Sequence, residues 1–148
     1  MPDGARLRVY VDADVLLASA ASPAEHSAGQ VVLTLAEITL IDAITSELAV
    51  EESERNLRRK LPDALSTFRV LLQRAVRVVS SPSAQAVRAG AGQAHWKDLP
   101  HLVCAREHRC AYLITYNTTD YEPGHPAVQV VPPGALVRRV RDRLTALR

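Results

Sequence analysis

Four acidic residues stand where a secondary-structure element is predicted to begin or end. They are Asp12 after the apolar run 7–11, Glu52 early in a helix, Asp98 at the start of another helix, and Asp120 after the apolar run 112–114. Carboxylates that are brought together repel one another and raise one another's pKa, so a site that gathers them usually needs a cation. Their hard oxygen ligands suit Mg²⁺ or Mn²⁺. If folding gathers these four acids, they predict metal-dependent hydrolysis of phosphodiester bonds.

Each of these acids also has a purely structural explanation. Turns and helix N-caps are common places for aspartate, which would account for Asp12, Asp98 and Asp120 one at a time. A glutamate within a helix is usually solvated, and helical phase does not choose between Glu51 and Glu52. The metal-site prediction therefore depends on the arrangement of the whole set.

Apolar runs alternate with helical patterns along the chain. The predicted strands are 7–11, 39–45, 76–79, 111–115 and 128–131. The predicted helices are 22–37, opened by a capping box at 22–25, then 46–60, 63–75, 84–89, 98–109 and 136–147. This alternation predicts one domain over residues 1–148, a three-layer α/β/α fold around a mainly parallel sheet of about five strands. Ligands of such sheets bind beyond the carboxyl ends of the strands, where Asp12 and Asp120 fall.

The composition limits the other classes of protein. The chain has 148 residues, of which 47% are hydrophobic, and no segment is long and apolar enough to span a bilayer. The first residues lack the layout of a signal peptide, so the cytoplasm is the expected location. Cys104 and Cys110 would lie on one predicted helix, separated by a rise of about 9 Å, which forbids a disulfide. Both are predicted to be core residues.

Other catalytic chemistries lack their characteristic residues. The sequence contains neither a glycine-rich phosphate loop nor a serine-centred nucleophile elbow. Two cysteines without paired histidines do not form a zinc site. The histidines are scattered without i,i+4 pairs, and we expect them at the surface or at helix ends; they are His26, His95, His101, His108 and His125.

Positive charge is weak overall but clustered locally. The formal net charge is +2, which does not by itself predict nucleic-acid binding. Arg55, Arg58 and Arg59 lie close together on the helix that carries Glu52, and phosphate contacts need local positive potential of this kind. We predict these three arginines as substrate-binding residues. The alternative is that they form the solvated face of an amphipathic helix.

Four segments resemble, in order and spacing, the motifs of PIN-domain ribonucleases. They are VYVDADVLL at 9–17, SELAVEESERNL at 46–57, KDLPHLVCA at 97–105 and LITYNTTDY at 113–121. The resemblance covers roughly residues 7–131. It differs from the family pattern at two positions, because relatives often have asparagine where this chain has Asp14, and many have aspartate where it has Asn117.

This resemblance implies a PIN fold and a divalent metal site. Asp12, Glu52, Asp98 and Asp120 would be both the metal ligands and the catalytic residues, with Mg²⁺ or Mn²⁺ as cofactor. Thr115 and Asn117 would support the site by hydrogen bonds, and Asp14 would add a ligand or orient a water molecule. Glu52, if held less tightly by the metal, would position or deprotonate the attacking water.

The branch that the sequence resembles most is the VapC-like group of bacterial PIN proteins, proposed as toxins of toxin–antitoxin pairs. The implied activity is endonucleolytic hydrolysis of RNA. RNA is therefore the expected substrate, and a small antitoxin protein and a second copy of the chain are the candidate protein partners. No membrane partner is expected.

Two alternatives remain open at this stage. A haloacid-dehalogenase-like phosphatase would use Asp12 as nucleophile and Asp14 as general acid. That class also needs a later lysine and a further acidic pair, whereas no lysine follows Lys97 and the only acids after Asp120 are Glu122 and Asp142. The second alternative is a PIN-fold protein that binds RNA or a partner without cutting.

Overall fold

A five-stranded parallel sheet forms the centre of the fold in the computed structural model, which describes residues 6–21 and 27–147. The strands are β1 (Leu7–Val11), β2 (Ile41–Ser46), β3 (Arg77–Val79), β4 (Tyr112–Ile114) and β5 (Gln129–Val131). Their order across the sheet is β3-β2-β1-β4-β5, and all neighbours run parallel. The prediction of an α/β fold with about five mainly parallel strands is confirmed.

Helices cover both faces of this sheet. They are α1 (Ala13–Ala21), α2 (Ala28–Glu37), α3 (Glu47–Lys60), α4 (Leu65–Ala75), α5 (Ala84–Ala89), α6 (Leu99–Glu107) and α7 (Pro133–Thr145), with 3-10 helices at Pro62–Ala64 and Thr118–Tyr121. Successive side chains of the central strand β1 enter opposite core layers, with Val9 and Val11 in one and Tyr10 in the other. None of the helices described is long and apolar enough to cross a membrane.

Helix α1 is an element that the sequence patterns did not predict. It begins directly after β1, and its buried residues lie on one side of the helix; they are Ala13, Val15, Leu16, Ser19 and Ala20. The other side carries alanine and leucine, with Asp14 as the one charged residue of the helix, so the polar face that gives the usual amphipathic signal is missing. The capping box predicted at 22–25 lies outside the described residues. Helix α2 begins at Ala28, with the Ser27 hydroxyl accepting a hydrogen bond from the Gln30 backbone N–H at 3.2 Å.

Two helices end in caps that use residues other than glycine, and the elements predicted around them were partly misplaced. Helix α2 is followed by Thr39 with φ 65°, and α6 is followed by Arg109 with φ 56°. In each case two backbone N–H groups bond back into the last turn, as in a Schellman motif; the donors are Thr39 and Leu40, and Arg109 and Cys110. Glycine usually occupies the left-handed position, so these ends carry no clear sequence signal. The predicted strand start at 39 and helix end at 109 were therefore wrong.

Proline misled the prediction at the last helix. The turn-rich residues 132–134 were predicted to precede a helix starting at 136, but α7 begins at Pro133. Proline is well suited to the first helical position, because the backbone N–H that it lacks would have no partner within the helix.

Both cysteines are core residues, as predicted. Cys104 lies in α6, but Cys110 follows the helix rather than sharing it. Burial raises the pKa of each thiol to about 12. Neither group is therefore a reactive thiolate near neutral pH.

Candidate functional site

Three adjacent strands deliver polar side chains to one edge of the sheet. Asp12 follows β1, Ser46 ends β2 and Thr115 follows β4. The Asp12 backbone N–H continues the sheet pairing by donating to the Ile114 carbonyl at 3.0 Å. Since the strands are parallel, these residues share the carboxyl edge, where ligands of such folds bind.

The carboxylate of Asp12 is the most firmly held group at this edge. Its Oδ1 accepts a hydrogen bond from the Ala13 backbone N–H at 2.7 Å. Its Oδ2 accepts from the Thr115 hydroxyl at 2.9 Å and from the Tyr121 hydroxyl at 2.8 Å. Helix α1 starts at Ala13, directly after Asp12, so the positive end of the helix dipole also favours the negative charge of Asp12. Oδ1 accepts only one of these bonds and keeps a lone pair for a ligand.

Asp14 is tied to the segment after β4. Its Oδ2 accepts hydrogen bonds from the Thr115 hydroxyl at 3.1 Å, the Tyr116 backbone N–H at 2.9 Å and the Asn117 amide at 3.2 Å. Its Oδ1 is buried and has no hydrogen-bond partner within residues 6–21 and 27–147. Burial, followed by the charge of Asp12, raises the pKa of Asp14 from 3.8 to about 6. Asp14 is therefore an acid that is costly to ionise without a cation.

Asp98 and Asp120 approach the same edge from outside the sheet. Asp98 occupies the N-cap position of α6, but its side chain makes no capping hydrogen bond. Burial and the negative charges of Asp12 and Asp120 raise the pKa of Asp98, so these three acids interact electrostatically. Asp120 is solvent-exposed on its 3-10 helix, and its backbone carbonyl accepts a hydrogen bond from the His95 N–H at 2.7 Å.

Glu52 is linked to the site by a contact with the buried side chain of His101. Its Oε2 lies 3.3 Å from His101 Nε2, whereas the neighbouring Glu51 is exposed on the outer face of α3. His101 Nδ1 lies 2.7 Å from the Tyr10 hydroxyl, which is 2.9 Å from the Ser46 hydroxyl. When the ring is neutral, Ser46 donates to Tyr10, Tyr10 to Nδ1, and Nε2 to Glu52; when it is protonated, Nδ1 donates to Tyr10 and Tyr10 to Ser46.

The surface or helix-end position predicted for His101 is wrong. The residue is 1% exposed. Burial favours the neutral ring, but the hydrogen bond to Glu52 and the charges of Asp12 and Asp98 outweigh this effect and raise the pKa of His101. The signal that could have identified it is its position three residues after Asp98, which places both on one side of the helix.

The predicted substrate-binding arginines are not gathered with the acids. Arg55, Arg58 and Arg59 are exposed on α3, and Arg58 forms a 3.3 Å ion pair with Glu54. Helix α3 starts at the carboxyl edge of the sheet and runs away from it, so Arg58 lies a rise of about 9 Å beyond Glu52. Contact between these arginines and substrate stays a prediction.

The donor set fits a hard divalent cation chemically, although it is not drawn together into a closed site. Across residues 6–21 and 27–147, no three acidic, histidine or cysteine side chains are grouped closely enough to hold an ion. The carboxylate oxygens are nevertheless the right ligands for Mg²⁺ or Mn²⁺. The buried Oδ1 of Asp14 lacks a partner, and the Asp98 side chain is not used as a cap. These two observations are what a site for a cation or its bound water requires.

The raised pKa of Asp14 gives a testable pH dependence. The folded-state pKa of about 6 exceeds the ordinary 3.8, so the stability contributed by this group is present below about pH 4 and lost as pH rises through 6. Asp14→Asn keeps an acceptor oxygen for the three donors but removes this titration. We expect the variant to gain stability relative to wild type from pH 4 to pH 7. Urea unfolding in a chelator measures the difference, and parallel pH curves for the two proteins would contradict it.

Comparison with known proteins agrees with this geometry. The sequence model of the PIN domain family matches residues 8–119. The sequence has no significant match among curated proteins. PAE2754 from Pyrobaculum aerophilum shares the fold with a TM-score of 0.59 and 13% identity over 92% of this chain and 96% of its own. VapC20 of Mycobacterium tuberculosis, described as a toxin that cleaves the sarcin-ricin loop, has a TM-score of 0.53 and 16% identity over 71% of this chain and 86% of its own.

Proposed function

Because this chain belongs to the PIN domain family of nucleases, we propose that it is a metal-dependent endoribonuclease that hydrolyses RNA phosphodiester bonds. The observation that carries the proposal is the position of Asp98, whose side chain is free of any capping bond and whose pKa is raised by burial and by the nearby charges of Asp12 and Asp120. Acids that disfavour one another's charge gain most from a cation. RNA as the substrate is supported by the fold shared with VapC20, which is itself described as cleaving the sarcin-ricin loop.

In the proposed site, Asp12, Glu52, Asp98 and Asp120 would hold Mg²⁺ or Mn²⁺. Such an ion, when bound, eases deprotonation of water and neutralises charge on the phosphate oxygens. The protein's own part is to fix the ligands in place. Thr115 and Tyr121 orient Asp12, and Asn117, donating to Asp14 at 3.2 Å, helps to orient that acid.

Glu52 is the residue best placed to act on the attacking water. Its carboxylate is about one-third exposed, so it is open to solvent, while its Oε2 is held by the buried ring of His101. His101 acts as a positioning residue, because its other nitrogen is fixed by Tyr10. This arrangement leaves the second oxygen of Glu52 available to accept a proton from water.

We further propose that the protein is the toxin of a toxin–antitoxin pair and acts in the cytoplasm with a small antitoxin protein as partner. Support comes from the sequence resemblance to VapC-like proteins and from the fold shared with VapC20. A neighbouring reading frame that encodes a small antitoxin-like protein would strengthen the proposal. Arg55, Arg58 and Arg59 remain the proposed phosphate contacts for longer RNA.

The two alternatives differ in how far the observations support them. The family match speaks against a haloacid-dehalogenase-like phosphatase, and the sequence lacks the later lysine that such an enzyme needs. A PIN-fold protein that binds RNA without cutting would need no cation-dependent turnover. A direct cleavage assay separates these functions.

The proposal is tested with purified protein and a labelled single-stranded RNA. We expect cleavage with Mg²⁺ or Mn²⁺, loss of cleavage in excess chelator, and recovery when the divalent ion is restored. The same preparation should leave a small aryl phosphate ester intact. Hydrolysis of that ester with the RNA untouched would favour the phosphatase, and RNA binding without cleavage in either metal would favour the non-cleaving alternative.

A further inference from the structure

The aromatic side chains are few and unevenly exposed. Only 4% of residues are aromatic, and most of them are in the core: Tyr10, Phe68 and Tyr121 are buried, and Tyr112 is partly buried. The two exposed ones are Trp96, at 72%, and Tyr116, at 48%. Trp96 stands two residues before Asp98, and Tyr116 directly follows Thr115. The aromatic surface that the protein shows to solvent thus adjoins the acidic site.

Hydrogen bonds hold the Trp96 loop against the site. The backbone N–H of His95 donates to the Asp120 carbonyl at 2.7 Å, and the Gln93 carbonyl accepts from the Gly124 N–H at 2.7 Å. The His95 ring stacks on the indole with centroids 5.9 Å apart and planes inclined by 29°. An exposed ring on an anchored backbone is an ordered surface for another flat group.

Positive charge accompanies this exposed ring. The Lys97 ammonium lies 5.4 Å from the centre of the indole ring, and Lys97 is itself solvent-exposed. Such an ammonium polarises the ring and supplies a charge that a phosphate group can contact. A flat aromatic face beside a cation matches the base and the phosphate of a nucleotide. It is less well matched to an apolar protein surface, which offers no negative charge.

Tyr116 is held beside the acidic site by its own set of contacts. Its backbone N–H donates to Asp14 Oδ2 at 2.9 Å. Its hydroxyl lies beside Gly29 of α2, where an added Cβ would come within 3.2 Å of that oxygen and 2.8 Å of the Ser19 hydroxyl. Because Gly29 has no Cβ, it leaves space for the Tyr116 hydroxyl. Part of the ring stays open to solvent.

We propose that Trp96 and Tyr116 are stacking sites for unpaired bases of a single-stranded RNA segment whose backbone passes over the acids. This inference rests on the proposed ribonuclease function and specifies its substrate class. Aromatic side chains stack on any base, because every base has a π-face, so the contact selects unpaired RNA rather than a particular sequence. Paired bases in a duplex are already stacked and do not offer their faces.

The single tryptophan makes the proposal measurable without relying on cleavage. Trp96 is the only tryptophan in the chain, so intrinsic tryptophan fluorescence reports this residue alone. The titration uses Asp98→Asn in a chelator to prevent cleavage, with a short single-stranded RNA and a duplex of the same sequence. We expect strong quenching by the single strand and much weaker quenching by the duplex.

Affinity changes then separate stacking from charge. In the same background, Trp96→Ala should weaken single-strand binding by about 5- to 100-fold, while Trp96→Phe keeps most of the affinity. Tyr116→Leu should likewise weaken single-strand binding, while Tyr116→Phe should keep most of the affinity. The slope of log affinity against log salt should not change in these variants, because no phosphate contact is lost. Leu144→Ala is the matched control, since Leu144 is 46% exposed at the far end of α7.

The outcomes distinguish this proposal from the function on which it rests. If wild type cleaves RNA but Trp96→Ala and Tyr116→Leu bind it as tightly as the parent, stacking is wrong and the ribonuclease function stands. If single-stranded RNA quenches Trp96 although wild type shows no cleavage, the stacking site is supported and the ribonuclease function fails. Equal quenching by duplex and single strand, or quenching only by a protein partner, would overturn the stacking proposal.

Discussion

Replacing Asp98 with asparagine is expected to lower RNA cleavage by at least about a hundredfold, the scale of losing one preorganised electrostatic group. The folded protein should be no less stable. The Asp98 side chain makes no capping hydrogen bond, so the amide substitution breaks no contact of that kind. Burial and the charges of Asp12 and Asp120 disfavour its ionised form, so removing the charge relieves repulsion.

Single-turnover cleavage and thermal melting in a chelator measure the two effects. The pKa of Asp98 is raised in the folded state, so the stability that it contributes is lost as pH rises. The advantage of Asp98→Asn over wild type should therefore grow from acidic to neutral pH. Asp63→Asn is the matched control, because Asp63 is an exposed acid in the first turn of another helix. Full cleavage by Asp98→Asn would remove Asp98 from the proposed site.

Asp12 is a poorer choice for this double measurement. Three donors converge on its carboxylate, from Ala13, Thr115 and Tyr121. An amide in its place would turn an NH₂ group toward at least one of them. Loss of activity in Asp12→Asn would therefore mix the loss of a ligand with a rearranged hydrogen-bond network. In Asp98→Asn no capping hydrogen bond is broken, so the loss of a proposed ligand can be measured separately from such a rearrangement.

Divalent cations are expected to stabilise the metal-free protein strongly. An ion that binds only the folded state adds about 2.7 kcal/mol at a hundredfold excess over its dissociation constant. For a domain of this size, that corresponds to a rise in Tm of roughly 5–10 °C. Thermal melts with and without Mn²⁺ measure it, with monovalent salt at equal ionic strength as the control.

The same experiment locates the ion. Asp98→Asn should start from a higher Tm without metal and show a smaller rise with Mn²⁺, whereas Asp63→Asn should match wild type in both respects. If saturating Mn²⁺ leaves the Tm of wild type unchanged, the acids do not form a cation site. An equal rise in wild type and Asp98→Asn would place the ion elsewhere.

The strands and the acids at their ends could be predicted from the sequence more clearly than the contacts that these acids make. The run Leu7–Val11 is apolar apart from Arg8, as expected where both faces of a strand are covered, and this made the strand and the position of Asp12 predictable. Helix α1 gave no such signal, because its exposed side carries alanines rather than charged residues. Local patterns thus identify helices with a polar exposed face better than helices that are apolar all round.

The contact between Glu52 and His101 depends on the tertiary fold rather than on the local sequence. Helical phase left Glu51 and Glu52 equivalent, and the choice between them comes from His101, 49 residues further along the chain. A histidine without a nearby histidine or cysteine carries no metal-binding signal, so the one sequence feature that pointed to His101 was its position three residues after Asp98. The position of His101 depends on the packing of α6 against β1 and on its contact with Glu52 of α3.

The hydrogen bond between Asp12 and Thr115 joins residues that are 103 positions apart, and Asp120 lies further still. Central strand β1 gains its neighbour β4 only when that distant segment is present. A ribosome adds about 5–20 residues per second, so roughly 5 to 20 seconds separate the synthesis of the first acid from that of the last. During that interval the growing chain has no complete set of acids. A nuclease that needs the whole set would therefore stay inactive beside the RNA of the ribosome that makes it, until most of the fold has emerged.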